Sequence, residues 1–403
     1  MKYPVVYFEM LFIGFLLVFG YSMLQSFLPI FARELNPTGV LVGLSISSYF
    51  FARIFIELPS GLIEDRIGRR IPILLGLCLG TIGTLICAFS TSIYILILGL
   101  ALWGLGAGLF FMNSTGLIID LFKSYMRGRA LGIFQGIELI GSFAGAPLGA
   151  FLAERLGYTS VFYVTGASMA AAFLVAFTLR GLKQVSTRST RRPIHTPIRE
   201  TLDGLKNWGL LATCVASFST MFITQGVIST IFPIYLHDFL KMSIGLIGII
   251  IGVRAVSLCL ATIGCGHLSD RVGRKPVIFA GFVIESLCIY LYTLASSYEL
   301  ILILAFIEGL GAAMISVTLI TLMSEQVAPE YTGGAVGLYR TFMDVGAVTG
   351  PVLIMMIQTR FDIYAGFLFG VALLLANVPT LLTVRERSSI RPARSPTRSQ
   401  LPD

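Results

Sequence analysis

Charged residues are scarce in this sequence. They make up 12% of its 403 residues, whereas hydrophobic residues make up 56%. A soluble domain averages about 25% charged residues, so this composition excludes a water-soluble fold. The apolar residues form long stretches instead. Helices are expected there, because a bilayer offers the backbone no other hydrogen-bonding partners.

Residues that carry catalysis or bind metals are few and scattered. The three histidines stand in loops or at the ends of apolar stretches, and no GxxxxGK[ST] phosphate loop is present. The six cysteines lie inside apolar stretches without a CxxC pair: Cys78, Cys87, Cys214, Cys259, Cys265 and Cys288. We expect these cysteines to be small buried packing residues. We expect no metal site, no cofactor and no enzyme activity, since no nucleophile, base and oxyanion-binding group can be assembled.

Twelve apolar segments approach or exceed the roughly 20 residues that a membrane-crossing helix needs. Spans 1 to 6 lie near 6–32, 39–62, 72–91, 93–122, 130–154 and 159–180. Spans 7 to 12 lie near 208–236, 244–268, 276–296, 298–326, 335–358 and 363–384. The predicted organisation is a six-helix bundle (1–181), a polar linker (182–206), a second six-helix bundle (207–385) and a basic tail (386–403).

Basic residues concentrate in alternate loops, in the linker and in the tail. The loops on the other side keep only Arg33, Arg155, Lys241 and Arg360. This asymmetry predicts a multi-pass protein of the plasma membrane with both termini in the cytoplasm. The net charge of +8 is therefore interpreted as a topology signal, and no nucleic-acid partner is expected.

The two halves repeat one another. The segment Gly61-Leu-Ile-Glu-Asp-Arg-Ile-Gly-Arg-Arg recurs at Gly266 as Gly-His-Leu-Ser-Asp-Arg-Val-Gly-Arg-Lys, a shift of 205 positions. The same shift maps glycines of spans 4 and 5 onto glycines of spans 10 and 11. A duplicated six-helix unit is therefore predicted.

This loop resembles the G-x-x-x-D-R-x-G-R-[RK] signature of the major facilitator superfamily. The resemblance implies an all-α membrane protein with twelve transmembrane helices in two pseudo-symmetric bundles. It also implies solute transport by alternating access, with a midplane site between the halves. By the same resemblance, Asp65 is expected to face the start of span 11 and Arg69 to pair with Asp120. The gate residues expected in both halves are Gly61, Asp65, Arg66, Gly68, Arg69, Asp120, Gly266, Asp270, Arg271, Gly273, Arg274 and Glu325.

Spans 5 and 11 are rich in glycine. Drug/proton antiporters of the family carry G-x8-G-x3-G-P-x2-G-G in span 5, and this chain resembles that pattern with its proline displaced by one place. The matching residues are Gly132, Gly141, Gly145 and Pro147 in span 5, and Gly337, Gly346, Gly350 and Pro351 in span 11. Such spacing predicts close approach of spans 5 and 8 and of spans 2 and 11. Leu100 stands where those antiporters have an arginine.

Each charge inside the membrane costs about 2.5 to 3.5 kcal/mol on insertion scales, so each is a functional candidate. The candidates for proton coupling are Glu138, Glu308 and Asp344. The candidates for the substrate cavity are Gln25, Asn113, Gln135, Gln225, Arg53, Arg254 and Arg340. Arg53 with Glu57, and Arg340 with Asp344, stand at i, i+4 and are expected either to neutralise each other or to contact substrate. Glu285 is a weaker candidate, because span 9 is peripheral in the family; it is expected to face either lipid headgroups or a neighbouring helix.

The leading interpretation is proton-coupled efflux of small amphipathic or hydrophobic compounds by a monomer in the bilayer. The alternative is proton-coupled uptake of a metabolite, an anion included, with Arg254 or Arg340 as its ligand. A non-transporting receptor or scaffold is a minor alternative that requires a partner-binding module in the linker or tail.

Overall fold

The computed structural model describes residues 3–178, 207–328 and 332–384, excluding the side chains of 58–67, 124–125 and 332–333. Within these ranges the secondary structure is helical and contains no strand. Twelve helical spans are long and apolar enough to cross a membrane, which confirms the predicted fold class. The expected linker and tail lie outside the described residues, and the domain boundaries stay a prediction.

Span 1 consists of two helices, Val5–Leu24 and Leu28–Leu35. The expectation of one continuous helix over 6–32 was wrong, because Pro29 in a continuous helix would clash with the carbonyl of Gln25. Pro29 lies instead in the first turn of the second helix, where its missing N–H costs nothing. Spans 2 to 6 are Gly39–Ile67, Arg70–Ala88, Ile93–Leu121, Ser124–Leu156 and Tyr158–Thr178.

Span 7 is irregular in its second half. The α-helix Trp208–Ile223 continues as a π-helix over Thr224–Ile231, a short α-helical turn at Phe232–Ile234 and a second π-helix at Tyr235–Phe239. Pro233 cannot donate an intrahelical hydrogen bond, and wider turns flank it. Spans 8 to 12 are Ile244–Val272, Arg274–Tyr292, Tyr298–Glu325, Thr332–Arg360 and Ile363–Leu382.

Both halves use the same helix contacts. In the first half, span 1 packs on spans 5 and 6, span 4 on spans 2 and 3, and span 3 on span 6. In the second half, span 7 packs on spans 11 and 12, span 10 on spans 8 and 9, and span 9 on span 12. The main contacts between the halves join span 2 to span 11 and span 5 to span 8. The repeat therefore extends from the loops to the packing of the whole bundle.

The glycines of spans 5 and 11 pack inside their own halves. Gly141 and Gly145 lie against the span 1 backbone, and Gly346 and Gly350 lie against the span 7 backbone. The expectation that these glycines bring spans 5 and 8 or spans 2 and 11 together was wrong. A four-residue spacing keeps them on one helical face, whereas Pro147, two places after Gly145, points about 200° away and Pro351, one place after Gly350, points about 100° away.

The prolines point away from these glycine faces. Pro147 of span 5 contacts Gly252 of span 8, and Pro351 of span 11 contacts Gly43 of span 2. The two halves therefore meet where each proline lies against a glycine. The cysteines also differ in part from expectation, since Cys78 and Cys259 are only half-buried while the other four are buried.

Candidate functional site

The two halves touch at one end of the bundle and separate at the other. Gly248 of span 8 contacts Ala150 of span 5. Gly266 lies about five turns further along the same face of span 8. A Cβ atom at Gly266 would have no described atom within 4 Å. Gly136 lies about three turns from Pro147 on the same face of span 5 and is equally free of neighbours. A space between the halves therefore opens toward the end that carries the two repeated loops, which we call the loop end.

An ion pair closes the opposite end. Arg33 Nη1 lies 2.5 Å from Asp238 Oδ2, and the two residues are 205 positions apart. Because 205 is the repeat shift, Arg33 and Asp238 are equivalent residues of the two halves. Equivalent residues can meet only on the pseudo-two-fold axis that relates the halves. Asp238 Oδ1 also lies 2.8 Å from Nδ1 of His237.

A second contact at this end joins span 5 to span 8. Glu154 Oε2 accepts hydrogen bonds from Gly245 N at 2.6 Å and from Ser243 Oγ at 3.2 Å. A carboxylate is stabilised at this position by the positive amino end of the helix. Sequence reasoning missed both closing contacts. For Arg33 and Asp238, opposite charges at equivalent repeat positions were the available signal.

A charge cluster crosses between the halves in the middle of the bundle. Arg53 Nε donates to Glu57 Oε1 at 2.7 Å, and Arg53 Nη2 lies 3.5 Å from Asp344 Oδ1. Asp344 forms its ion pair with Arg53 rather than with Arg340, although Arg340 also interacts with it electrostatically. Asp344 is buried where span 11 packs on span 2, which carries Arg53, whereas Arg340 is exposed.

Glu138 lies beside the same cluster. Its Oε1 is buried and has no hydrogen-bond partner among the described atoms. Arg340 and Arg53 both interact with it electrostatically. Electrostatic interactions therefore link four of the predicted residues, Glu138, Asp344, Arg53 and Arg340, although they come from spans 2, 5 and 11.

A second charge cluster lies within the C-terminal half. Arg254 of span 8 donates to both carboxylate oxygens of Glu308 in span 10, from Nε and from Nη2. Glu285 of span 9 is 0% exposed, and neither of its carboxylate oxygens has a hydrogen-bond partner among the described atoms. It interacts electrostatically with Glu308 and Arg254. Of the two alternatives expected for Glu285, the structure agrees with the neighbouring helix, because that face of span 9 packs on span 10.

The uncharged candidates are distributed differently. Gln135 is exposed, and Gln25 is half-buried at the break of span 1. Asn113 is fully buried, and its amide nitrogen donates to Leu109 O in its own helix at 2.7 Å. Gln225 is buried in the π-helical part of span 7, with its Oε1 unpartnered among the described atoms. Of these four candidates, only Gln25 and Gln135 have more than slight exposure.

The repeated loops form similar contacts in both halves. Arg69 Nη2 lies 3.2 Å from Asp120 Oδ2, and Arg274 Nε donates to Glu325 Oε1 at 3.1 Å. Arg274 Nη1 also contacts Asp270 at 2.5 Å. Each of these contacts stays within one half. The side chains of Asp65 and Arg66, and the position of Gly61, fall in the stretch excluded from the description, so the gate role of the loops stays a prediction.

Two glycines explain the shape of these loops. Gly68 has φ 74° and Gly273 has φ 104°. Residues with side chains rarely adopt this left-handed backbone. Glycine at these places lets the chain turn directly from one span into the next, with Arg69 and Arg274 at the start of the following helix.

The chain belongs to the major facilitator superfamily, whose family model matches residues 10–243 and 213–401. It is a multi-pass membrane transporter rather than an enzyme, as the repeated loops predicted. The quinolone resistance protein NorA of Staphylococcus aureus is 24% identical over 350 residues, covering 84% of this chain and 86% of that protein. The multidrug resistance protein MdtG of Escherichia fergusonii is 26% identical over 388 residues, covering 94% of this chain and 92% of that protein.

Solved structures share the fold. The nucleoside transporter NupG superimposes with a TM-score of 0.77 at 14% identity, covering 94% of this chain and 99% of that one. A bacterial homologue of the lysosomal transporter Spinster, in an inward-facing and unoccupied conformation, superimposes with a TM-score of 0.73 at 15% identity, covering 94% of each chain. At such identities the likeness establishes the fold alone.

Proposed function

We propose that this protein exports small amphipathic or hydrophobic compounds across the plasma membrane in exchange for protons. Two relatives that align over most of their length are resistance proteins, one named for quinolones and one for multiple drugs. Their names support export of compounds of this kind. The cationic loops favour a cytoplasmic position for the loop end and for both termini, so the described state is open to the cytoplasm.

The observation that carries the proposal is the position of Glu138. Its carboxyl group has an oxygen without a hydrogen-bond partner among the described atoms, and Arg53 of span 2 and Arg340 of span 11 both interact with it electrostatically. A carboxylate there can hold either a proton or a cationic part of a solute. Because the two occupants exclude each other, release of a proton to the cytoplasm prepares the site for a solute.

Alternating access completes this cycle. Rocking of the halves opens the opposite end, which requires Arg33 to separate from Asp238 and Glu154 to leave the amino end of span 8. A proton that arrives from outside then displaces the solute from Glu138. The protonated carrier returns to the described state, and the proton gradient drives the cycle in the export direction.

Uptake of an anionic metabolite is the second candidate. Arg340 is exposed and forms no ion pair with another described residue, so its guanidinium is available to an anion. Arg254 is less suitable, because Glu308 already occupies it through two hydrogen bonds. Loss of solute binding in Arg340→Ala, with Glu138→Gln unaffected, would favour this second function.

Reconstitution into liposomes tests the first proposal. We expect the protein to concentrate a fluorescent quinolone inside acid-loaded liposomes, beyond the level in protein-free liposomes at the same gradient. Glu138→Gln should abolish this gradient-driven part. Glu299→Gln, the same change at an exposed carboxylate at the start of span 10, should leave it intact. Equal accumulation with and without protein for every amphipathic compound tried, or an unaltered Glu138→Gln variant, contradicts the proposal.

A further inference from the structure

The charge cluster in the C-terminal half has a counterpart of different chemistry in the N-terminal half. Under the repeat shift of 205, Arg254, Glu308 and Glu285 correspond to Tyr49, Trp103 and Gly80.

Those counterparts form ordinary aromatic packing. The rings of Tyr49 and Trp103 meet edge to face, with centroids 5.8 Å apart, and Gly80 leaves room for the indole. The same place in the fold can therefore be filled without any charge. Packing alone does not explain why the second half carries three ionisable residues in a region where each charge is costly.

Counting charges shows what the cluster requires. An arginine stays protonated in proteins, and Arg254 is matched by Glu308 through two hydrogen bonds. Glu285 adds a second carboxyl group, fully buried and without a donor among the described atoms. If Glu285 were also ionised, one negative charge would remain uncompensated in a dry site, which is strongly unfavourable. One proton restores neutrality.

We propose that Glu285 and Glu308 share one exchangeable proton beside Arg254, forming a proton-binding site in the C-terminal half that is separate from Glu138. The inference rests on the proposed proton-coupled function and adds a second site to it. Arg254, with 12% of its side chain exposed, is the partly accessible member of the Arg254–Glu308 pair, whereas the Glu308 side chain is 0% exposed. Protons therefore reach the carboxyl groups past the guanidinium.

The surroundings contain no competing ionised group among the described residues. On span 9 itself, Tyr292 and Cys288 interact electrostatically with the cluster, and both are neutral in a buried setting. Span 8 contributes Arg254 and span 10 contributes Glu308. The one titratable residue of span 12, Tyr364, packs instead against Tyr235 of span 7. The charge count therefore involves Arg254, Glu308 and Glu285.

Infrared spectroscopy of the purified, full-length protein tests the proposal through the carboxyl C=O band of a protonated acid, identified by its shift on exchange into deuterated water. We expect a band in the wild type at neutral pH and its partial loss in Glu285→Gln. The same loss should follow in Glu308→Gln, because Glu285 then ionises to pair with Arg254. In Arg254→Gln the cluster's contribution should rise toward about twice its wild-type area, because both carboxyl groups then lack a counter-charge. Glu299→Gln, at an exposed carboxylate at the start of span 10, serves as the control and should leave the band unchanged.

The outcomes separate this site from the proposed function. No protonated carboxyl band in the wild type overturns the proposal even if every variant fails to fold. A band that Glu285→Gln and Glu308→Gln leave intact in folded protein, shown by gel filtration, also overturns it. If the band behaves as expected while no compound moves protons in liposomes, the proposal of proton-coupled export is refuted, whereas the proposal of a proton-binding site at Glu285 and Glu308 is supported.

Discussion

The ion pair on the pseudo-two-fold axis allows an unusually direct test of how the opposite end is held shut. Arg33 and Asp238 occupy equivalent positions of the repeat. Exchanging the two residue types therefore keeps one positive and one negative charge at the same place and reverses which half carries each. We expect Arg33→Ala and Asp238→Ala each to favour opening of that end. Arg33→Asp should favour opening most, because it places two like charges on the axis. The double exchange Arg33→Asp with Asp238→Arg should restore closure.

The size of the effect follows from the exposure of the pair. Its side chains are 38% and 33% exposed, and pairs of this kind contribute about 0.2 to 1 kcal/mol to the state that contains them. Each alanine variant should therefore change the ratio of closed to open molecules by about 1.4-fold to 5-fold. Glu154 at the amino end of span 8 and the glycine and proline contacts remain intact, so closure is weakened rather than lost.

Electron-spin distance measurements report this ratio. Thr91 and Ser296 are exposed equivalent residues in the outer loops of the two halves, and labels on cysteines introduced there separate when the opposite end opens. Serine replaces the six native cysteines in every sample. The reasoning is refuted if the double exchange is as open as Arg33→Asp alone, or if none of the single variants changes the distance distribution.

Three further predictions concern packing, the cross-half link and proton coupling. Gly145→Leu forces a side chain against the span 1 backbone, and we expect it to lower the stability of the protein by about 1 to 3 kcal/mol. The loss is measured as a lower melting temperature. The control, Gly132→Leu at the open end, should melt like the wild type. Asp344→Asn removes the link from span 11 to Arg53, and we expect a lower melting temperature than in Arg340→Ala; the reverse order would contradict the pairing. Glu138→Gln should make the rate of solute exchange less sensitive to pH on the loop side than the wild-type rate; a pH dependence equal to that of the wild type would remove Glu138 from coupling.

The charged residues show how far helix geometry can be predicted from sequence alone. A spacing of four placed Arg340 and Asp344 on one helical face, which is correct, but the partner of Asp344 comes from span 2. For Glu285, the position of span 9 in the family fold left lipid headgroups and a neighbouring helix as alternatives. Its burial depends on which helix covers that face of span 9. In both cases the angle around a helix was predictable and the neighbouring helix was not.

The sequence by itself determined the twelve spans, their duplication and the family, because a bilayer forces long apolar segments into helices and a repeat shift can be read without coordinates. The same shift also contained, unnoticed, the opposite charges of Arg33 and Asp238. Only the tertiary structure decided that these two residues meet, that the loop end is open, and that Arg53 joins Asp344 across the halves. Such contacts depend on how two rigid bundles are tilted against each other, and this tilt is a balance of many weak contacts from residues far apart in the chain.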